Sequence, residues 1–268
     1  MKKIFLWVMF STIGHIVSAQ GPPASLKELG LKGRVKQVIE DNYDIVRNNA
    51  NGDSLKHVGK RIKNFDENGN QLDESSYDKG GDLESKFTFD YSKARKVIAS
   101  AQDNNGNLLA MFIIKYDDRG NEIELSPYLE GAKLRGPGPI KFKAFFKYDG
   151  RNDRVEMDTY TPGINLHSKE IFVYNDNHQI IEKYSTEESP NGVIKKRITL
   201  KYSSGGNQIE EESYDSKGRL KSESTTLYSN IDVDGNWLIA NSQFKYHNGD
   251  QRDYISKDVA KREIVYFK

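Results

Sequence analysis

Three oxygen-bearing side chains stand at the spacing a calcium loop would use. Asn230, Asp232 and Asp234 precede Gly235, matching the first, third and fifth positions and the following glycine of an EF-hand loop. The second half of that loop is absent. Its twelfth position would be Asn241 rather than a bidentate Glu, and no helix is expected on either side. A tight Asp-x-x-Gly turn, which needs no ion, accounts for the same residues. Other metals have less support. His57, His167, His178 and His247 are too far apart in sequence for helix or strand ligand pairs, and the chain has no Cys. No cofactor is expected.

Carboxylates are the next candidates. Glu187-Glu188 and Glu210-Glu211-Glu212 could be written into a glycosidase mechanism, which needs two carboxyl groups facing one bond. With 39 acidic residues in 268, such neighbours arise by chance. There is no Gly-x-Ser-x-Gly elbow and no phosphate-cradling Gly loop. The expectation is therefore a protein without a catalytic residue set, with a carboxylate hydrolase as the minor alternative. Aromatic residues offer a third chemistry. Tyr116, Tyr148, Tyr174 and Tyr202, with Trp237, could form a row of ligand platforms for sugar rings or a partner strand. The competing reading is cross-strand packing that holds a thin sheet together.

All of these residues depend on one recurring phrase for their position. An aromatic residue is followed by Asp, two variable residues, Gly, and then Asn, Asp or Arg. The copies begin at Phe65, Tyr77, Tyr116 and Tyr214, with degraded ones at Tyr148, Tyr174 and Tyr202. The Asp side chain can accept the backbone N–H two residues on, and the Gly supplies the positive φ that closes a hairpin with a bulge. Between copies the period is two. Leu108, Ala110, Phe112, Ile114 and Tyr116 share one face, as do Leu83, Ser85, Phe87, Phe89 and Tyr91. Phe65 to Tyr77, Tyr116 to Tyr128 and Tyr202 to Tyr214 each span twelve residues, one strand and one turn. The interval from Tyr128 to Tyr148 is longer and holds Gly136-Pro137-Gly138-Pro139, a loop by composition. It either divides the sheet at residues 129–139 or decorates a continuous one.

The ends and the bulk numbers set the compartment. Lys2 and Lys3 precede an apolar stretch that closes on Val17-Ser18-Ala19, so residues 1–19 read as a secretory signal peptide. Residues 20–33 form a leader in which Ser25 and Glu28 make a capping box and Gly30 a stop, predicting a short helix. The β domain follows over 34–268. The formal net charge is +1, so no basic excess points to nucleic acid. Strands such as 71–76 and 208–213 are too polar for the lipid-facing band of an outer-membrane barrel. The protein is expected to be secreted or periplasmic, with association at the cell surface open, and not membrane-spanning after signal removal.

The phrases, together with the opening segment 26–36 and the closing residues Asp234-Gly235-Asn236-Trp237 and Arg262-Glu263-Ile264-Val265-Tyr266, resemble the YD-repeat (rearrangement-hot-spot-like) family, in particular its short secreted members in Gram-negative bacteria. The resemblance implies an all-β strand-and-turn spiral or curved sheet. The toxin-enclosing role of the long members does not carry over, because this chain is too short for a shell and lacks an Asp-Pro-x-Gly core motif. The expectation is thus an all-β antiparallel meander of short repeated hairpins, forming a curved sheet or β-spiral with one short N-terminal helix. Its expected role is a non-catalytic binding or scaffold module of the bacterial envelope with a protein or glycan partner. The alternative is an extracellular carbohydrate-binding or carbohydrate-active protein using the tyrosine row.

Overall fold

Period-two alternation over most of residues 34–268 leaves little to form but strands, and the computed structural model consists of them. It describes residues 26, 29–48, 52–93, 96–127, 143–161, 166–190, 192–247 and 253–268. The strands are β1 (Val35–Asn48), β2 (Gly52–Phe65), β3 (Gln71–Asp78), β4 (Leu83–Lys93), β5 (Lys96–Asp103), β6 (Leu108–Tyr116), β7 (Glu122–Pro127) and β8 (Lys143–Tyr148). They continue as β9 (Arg154–Thr161), β10 (Leu166–Tyr174), β11 (Ile180–Ser189), β12 (Gly192–Tyr202), β13 (Gln208–Tyr214), β14 (Leu220–Ile231), β15 (Trp237–Tyr246) and β16 (Tyr254–Tyr266).

Each strand pairs antiparallel with its sequence neighbours, and β1 pairs with β16 to close a sixteen-stranded barrel. The seam runs from Val35 opposite Tyr266 to Asp44 opposite Asp258. The expected open curved sheet or spiral is therefore corrected to a closed barrel. Closure pairs the two strands that an open sheet would leave as bare edges. The strands are also longer than the repeat step implied, up to 14 residues. The expected N-terminal helix is corrected as well. Among the described residues there is no helix, and Leu26, Leu29 and Gly30 lie in turns. Ser25 and Glu28, the signal peptide and the loop 129–139 fall outside the described residues.

Register sorts the two faces of the sheet. Val97, Ala99 and Ala101 lie opposite Ile114, Phe112 and Ala110. Leu125 meets Ile114 on one side and Ala144 on the other, and Phe146 meets Met157. These side chains and Phe172 form one buried cluster on the inner face. Alternating Ala with Phe and Ile lets the inner walls interdigitate. From β11 to β16 the same face carries Ser185, Ser213, Ser222, Ser224, Thr226 and Ser242, all half-buried. The lumen thus has an apolar wall and a hydroxyl-rich one.

The outer face carries cross-strand charge pairs set among exposed apolar side chains such as Phe145, Tyr160, Ile171 and Leu227. Lys115 reaches Glu124 at 2.7 Å, Lys147 and Lys169 grip Glu156 at 2.6 and 2.9 Å, and Lys245 meets Glu223 at 3.1 Å. Such exposed pairs contribute little to stability, because solvent screens them.

Among the described residues, nine turns share one hydrogen-bond pattern. At Asp117 the N–H donates to the Asn121 carbonyl (2.8 Å), while Gly120 N–H donates to the Asp117 carbonyl (3.1 Å). The Asp117 carboxylate accepts the N–H groups of Arg119 and Asn121 at 2.9 and 2.8 Å. Gly120 has φ +83°, but Asn152 (φ 70°) and His178 (φ 61°) hold the equivalent place in two other turns. Asn tolerates this region better than other L residues. Gly120→Ala should therefore lower stability by about 1 kcal/mol, and Gly120→Asn by clearly less. Urea midpoints of the two variants would measure this, and equal losses would contradict it.

Candidate functional site

The turns that join even-numbered strands to the next odd one lie at one end of the barrel, with the start of β1 and the end of β16. Side chains tie them together. Asn121 Nδ2 donates to Asn152 Oδ1 (2.6 Å), His178 Nδ1 lies 2.7 Å from Asp153 Oδ1, and Gln179 Nε2 donates to the Gly206 carbonyl (3.4 Å). Tyrosine hydroxyls complete the ring. Tyr91, Tyr174, Tyr202 and Tyr228 donate to the carbonyls of Gln71, Arg154, Ile180 and Gln208 at 2.8–2.9 Å. Each acceptor is the first residue of its strand, where the ladder shifts register and frees a carbonyl. This use of the tyrosines was not foreseen from their spacing.

A strap packs over the β1–β16 seam at this end. Leu26, Leu29 and Leu31 pack on Val35, Val38, Phe65, Ile264 and Tyr266. Lys32 N–H donates to Asn236 Oδ1 (2.8 Å), and Asn236 Nδ2 donates back to the Lys32 carbonyl (2.9 Å) and to Tyr266 Oη (2.8 Å). Gly33 has φ +80°, and a Cβ there would stand 3.0 Å from the Asp234 carboxylate and 3.1 Å from the Tyr266 ring.

Beneath the strap lies a cavity of about 70 Å³ lined by Leu29, Leu31, Val38, Glu40, Arg61, Lys63 and Arg262. Arg262 Nε donates to Glu40 Oε2 at 2.8 Å, and the guanidinium carbon sits 3.4 Å from the centre of the Trp237 ring. Arg61 and Lys63 share Glu74 at 3.1 and 3.6 Å. Burial pushes the Glu40 carboxyl up, but Arg262, with Arg61 and Lys63, outweighs it and holds the group below its usual range. Burial also lowers Lys63 and Arg262, against the pull of Glu74 and Glu40 respectively. A second buried pair lies on the inner wall, where Lys183 Nζ is 2.8 Å from Glu170 Oε1. Burial raises the Glu170 carboxyl. Glu170 Oε2 and nearby Thr159 Oγ1 are buried without a hydrogen-bond partner among the described residues.

The residues singled out from the sequence are dispersed by this geometry. Asp232 Oδ1 accepts the N–H groups of Asp234 (3.1 Å) and Asn236 (2.8 Å), and Oδ2 accepts Tyr266 Oη–H at 2.5 Å. The Asp234 carboxylate lies against Gly33, and Asn230 holds φ 52° in β14. Among the described residues no three His, Cys, Asp or Glu side chains converge as metal ligands. The Asp215 carboxyl, in another such turn, is drawn down to about 2 by hydrogen bonds from Arg219, then from backbone amides. Glu210 and Glu212 face outward and Glu211 inward, as alternation along β13 requires. Glu188 faces outward, 3.6 Å from His167 Nδ1.

Of the proposed platforms, Tyr116, Tyr148 and Tyr174 are brought together around Arg154. They pack on the apolar cluster. Arg154 donates to Glu122 Oε2 (3.1 Å) and to Tyr148 Oη (3.4 Å), and its guanidinium carbon lies 4.7 Å from the Phe146 ring centre. Tyr202 stands apart, clamped on Ile180, and Trp237 is stacked under Arg262 with Tyr228 5.2 Å away. An exposed aromatic group does exist, but elsewhere. Tyr160 stacks on His167 at 4.5 Å on the outer face, with Phe145 edge-on at 6.3 Å.

The fold has a counterpart among solved structures. A porin-like protein from Bacteroides uniformis superimposes with a TM-score of 0.55 at 10% identity, covering 87% of this chain and 99% of its own. The chain shares that barrel fold. A domain described as an outer membrane lipoprotein-sorting protein, from Vibrio parahaemolyticus, matches at a TM-score of only 0.29 with 12% identity over 85% of each chain. No family model matches the sequence, and no curated protein does. The YD-repeat and rearrangement-hot-spot architecture expected from the recurring phrase is corrected accordingly. The phrase marks bulged turns, and the sheet they connect closes on itself instead of stacking repeated hairpins into a spiral.

Proposed function

We propose that this chain is an exported, non-catalytic binding module of the bacterial envelope that works in water rather than as a membrane-spanning pore. The observation that carries this reading is the charged outer face. A lipid-facing barrel needs an outward apolar band about 25 Å tall, and a Lys or Arg at the bilayer midplane costs roughly 2–4 kcal/mol. Here Lys115, Lys147, Lys169, Lys201 and Lys245 stand outward on five different strands in cross-strand ion pairs. The porin-like fold and the leader at residues 1–19 support an envelope location. Fractionation tests the proposal. Mature protein should leave osmotically shocked cells, or the medium, without detergent. Recovery only from detergent-solubilised outer membrane would sink it.

A second reading, a carbohydrate-binding surface, is favoured by one observation. Phe145 and Tyr160 are each 40% exposed beside the Asp158 carboxylate, which His167 Nε2 approaches to 2.8 Å. Retention on an insoluble polysaccharide that is lost in Tyr160→Ala would support it. Unchanged passage of both proteins would remove it.

A further inference from the structure

The charges around the cavity under the strap do not balance. Among the described residues, Arg61, Lys63 and Arg262 face it with only Glu40 and Glu74 to match them. Glu74 is already shared between two cations and also accepts Gln71 Nε2 at 3.3 Å. The Lys63 and Arg262 side chains are 21% and 20% exposed and Arg61 44%, so the cost of an unmatched charge held out of water falls on the first two. The remaining lining is apolar, from Leu29, Leu31 and Val38. The volume is about 70 Å³. By this measure one water takes about 10–15 Å³, so the cavity suits roughly five non-hydrogen atoms.

We propose that this cavity binds a short-chain aliphatic monocarboxylate, with its carboxylate between Arg61, Lys63 and Arg262 and its hydrocarbon against Leu29, Leu31 and Val38. One negative charge balances the cluster. Inorganic phosphate fits less well, because it would turn oxygens onto three apolar side chains that offer no hydrogen bond. The burial that lowers Lys63 and Arg262 would be offset by an anion in this position. The proposal deepens the binding reading above and rests on it for its biological meaning. Its test is made in vitro, so its failure leaves the fractionation result untouched.

The experiment is calorimetric titration of the folded mature protein with sodium propionate at constant ionic strength, with propionamide and sodium phosphate as comparators. Saturable one-to-one binding of propionate is expected, at least tenfold tighter than either comparator. Lys63→Met removes the excess charge, leaving two cations and two carboxylates, so the fold should survive while affinity falls at least tenfold. Leu31→Phe keeps every charge and fills the cavity, and should abolish binding. It carries the test if Lys63→Met fails to fold. Absence of propionate binding, equal binding of propionamide or phosphate, or full affinity in Leu31→Phe would overturn the proposal. So would binding that appears only in Glu28→Gln, since the chain would then supply its own counter-ion.

Discussion

Glu40→Ala is expected to destabilise the protein by about 3–5 kcal/mol, the usual cost of stranding one member of a buried ion pair. Arg262 would lose the carboxylate 2.8 Å from its Nε and remain beside Arg61 and Lys63. The loss falls at the seam, since Glu40 and Arg262 are direct partners across β1 and β16. Replacing both, as Glu40→Leu with Arg262→Met, should recover most of the loss, because the Arg262 charge is then no longer stranded. Urea unfolding of the wild type, Glu40→Leu, Arg262→Met and the double variant measures the coupling. A single-variant loss below about 1 kcal/mol would mean that water reaches this pair as freely as it does a surface bridge.

Phe146→Ala should cost a similar amount, about 3–5 kcal/mol, by a different route. Phe146 is 6% exposed within the apolar cluster and covers the Arg154 guanidinium. Truncation leaves a cavity and uncovers one side of a cation that also serves Glu122 and Tyr148. Leu227→Ala is the control. Leu227 is 74% exposed on β14, and its loss should stay within about 0.5 kcal/mol. A thermal melt separates the two outcomes. Comparable shifts would place the core elsewhere.

What the sequence made legible was local. The Asp-x-x-Gly turns, the inward face of Ala110, Phe112 and Ile114, and the stop at each aromatic residue follow from period and turn chemistry. Closure was not legible, because no spacing rule links residue 40 with residue 262. The polar strands 71–76 and 208–213 argued against a barrel only on the assumption that its outside meets lipid. The closed barrel shows that such half-buried polar strands are compatible with closure. The cation cluster was hidden for the same reason. Arg61 and Lys63 are ordinary charged residues on a strand until register puts them beside Glu74 and the seam. One signal was available: they alternate in phase with Phe65, which places three consecutive same-face positions toward the inside. The tyrosine hydroxyls were missed because their acceptors are backbone carbonyls freed by bulges.

The β1–β16 seam also sets an order of events. Every other strand pairing joins neighbours in the chain, so hairpins can form and zip with little loop entropy to overcome. Among the strand pairings, the seam alone joins segments more than two hundred residues apart. Loop-closure entropy favours its forming late, whichever hairpin nucleates. Until then the nearly finished sheet carries two long unpaired rims, which are sticky toward other chains. During folding, crowding and chaperones would act on that interval, and crosslinking β1 to β16 early would shorten it.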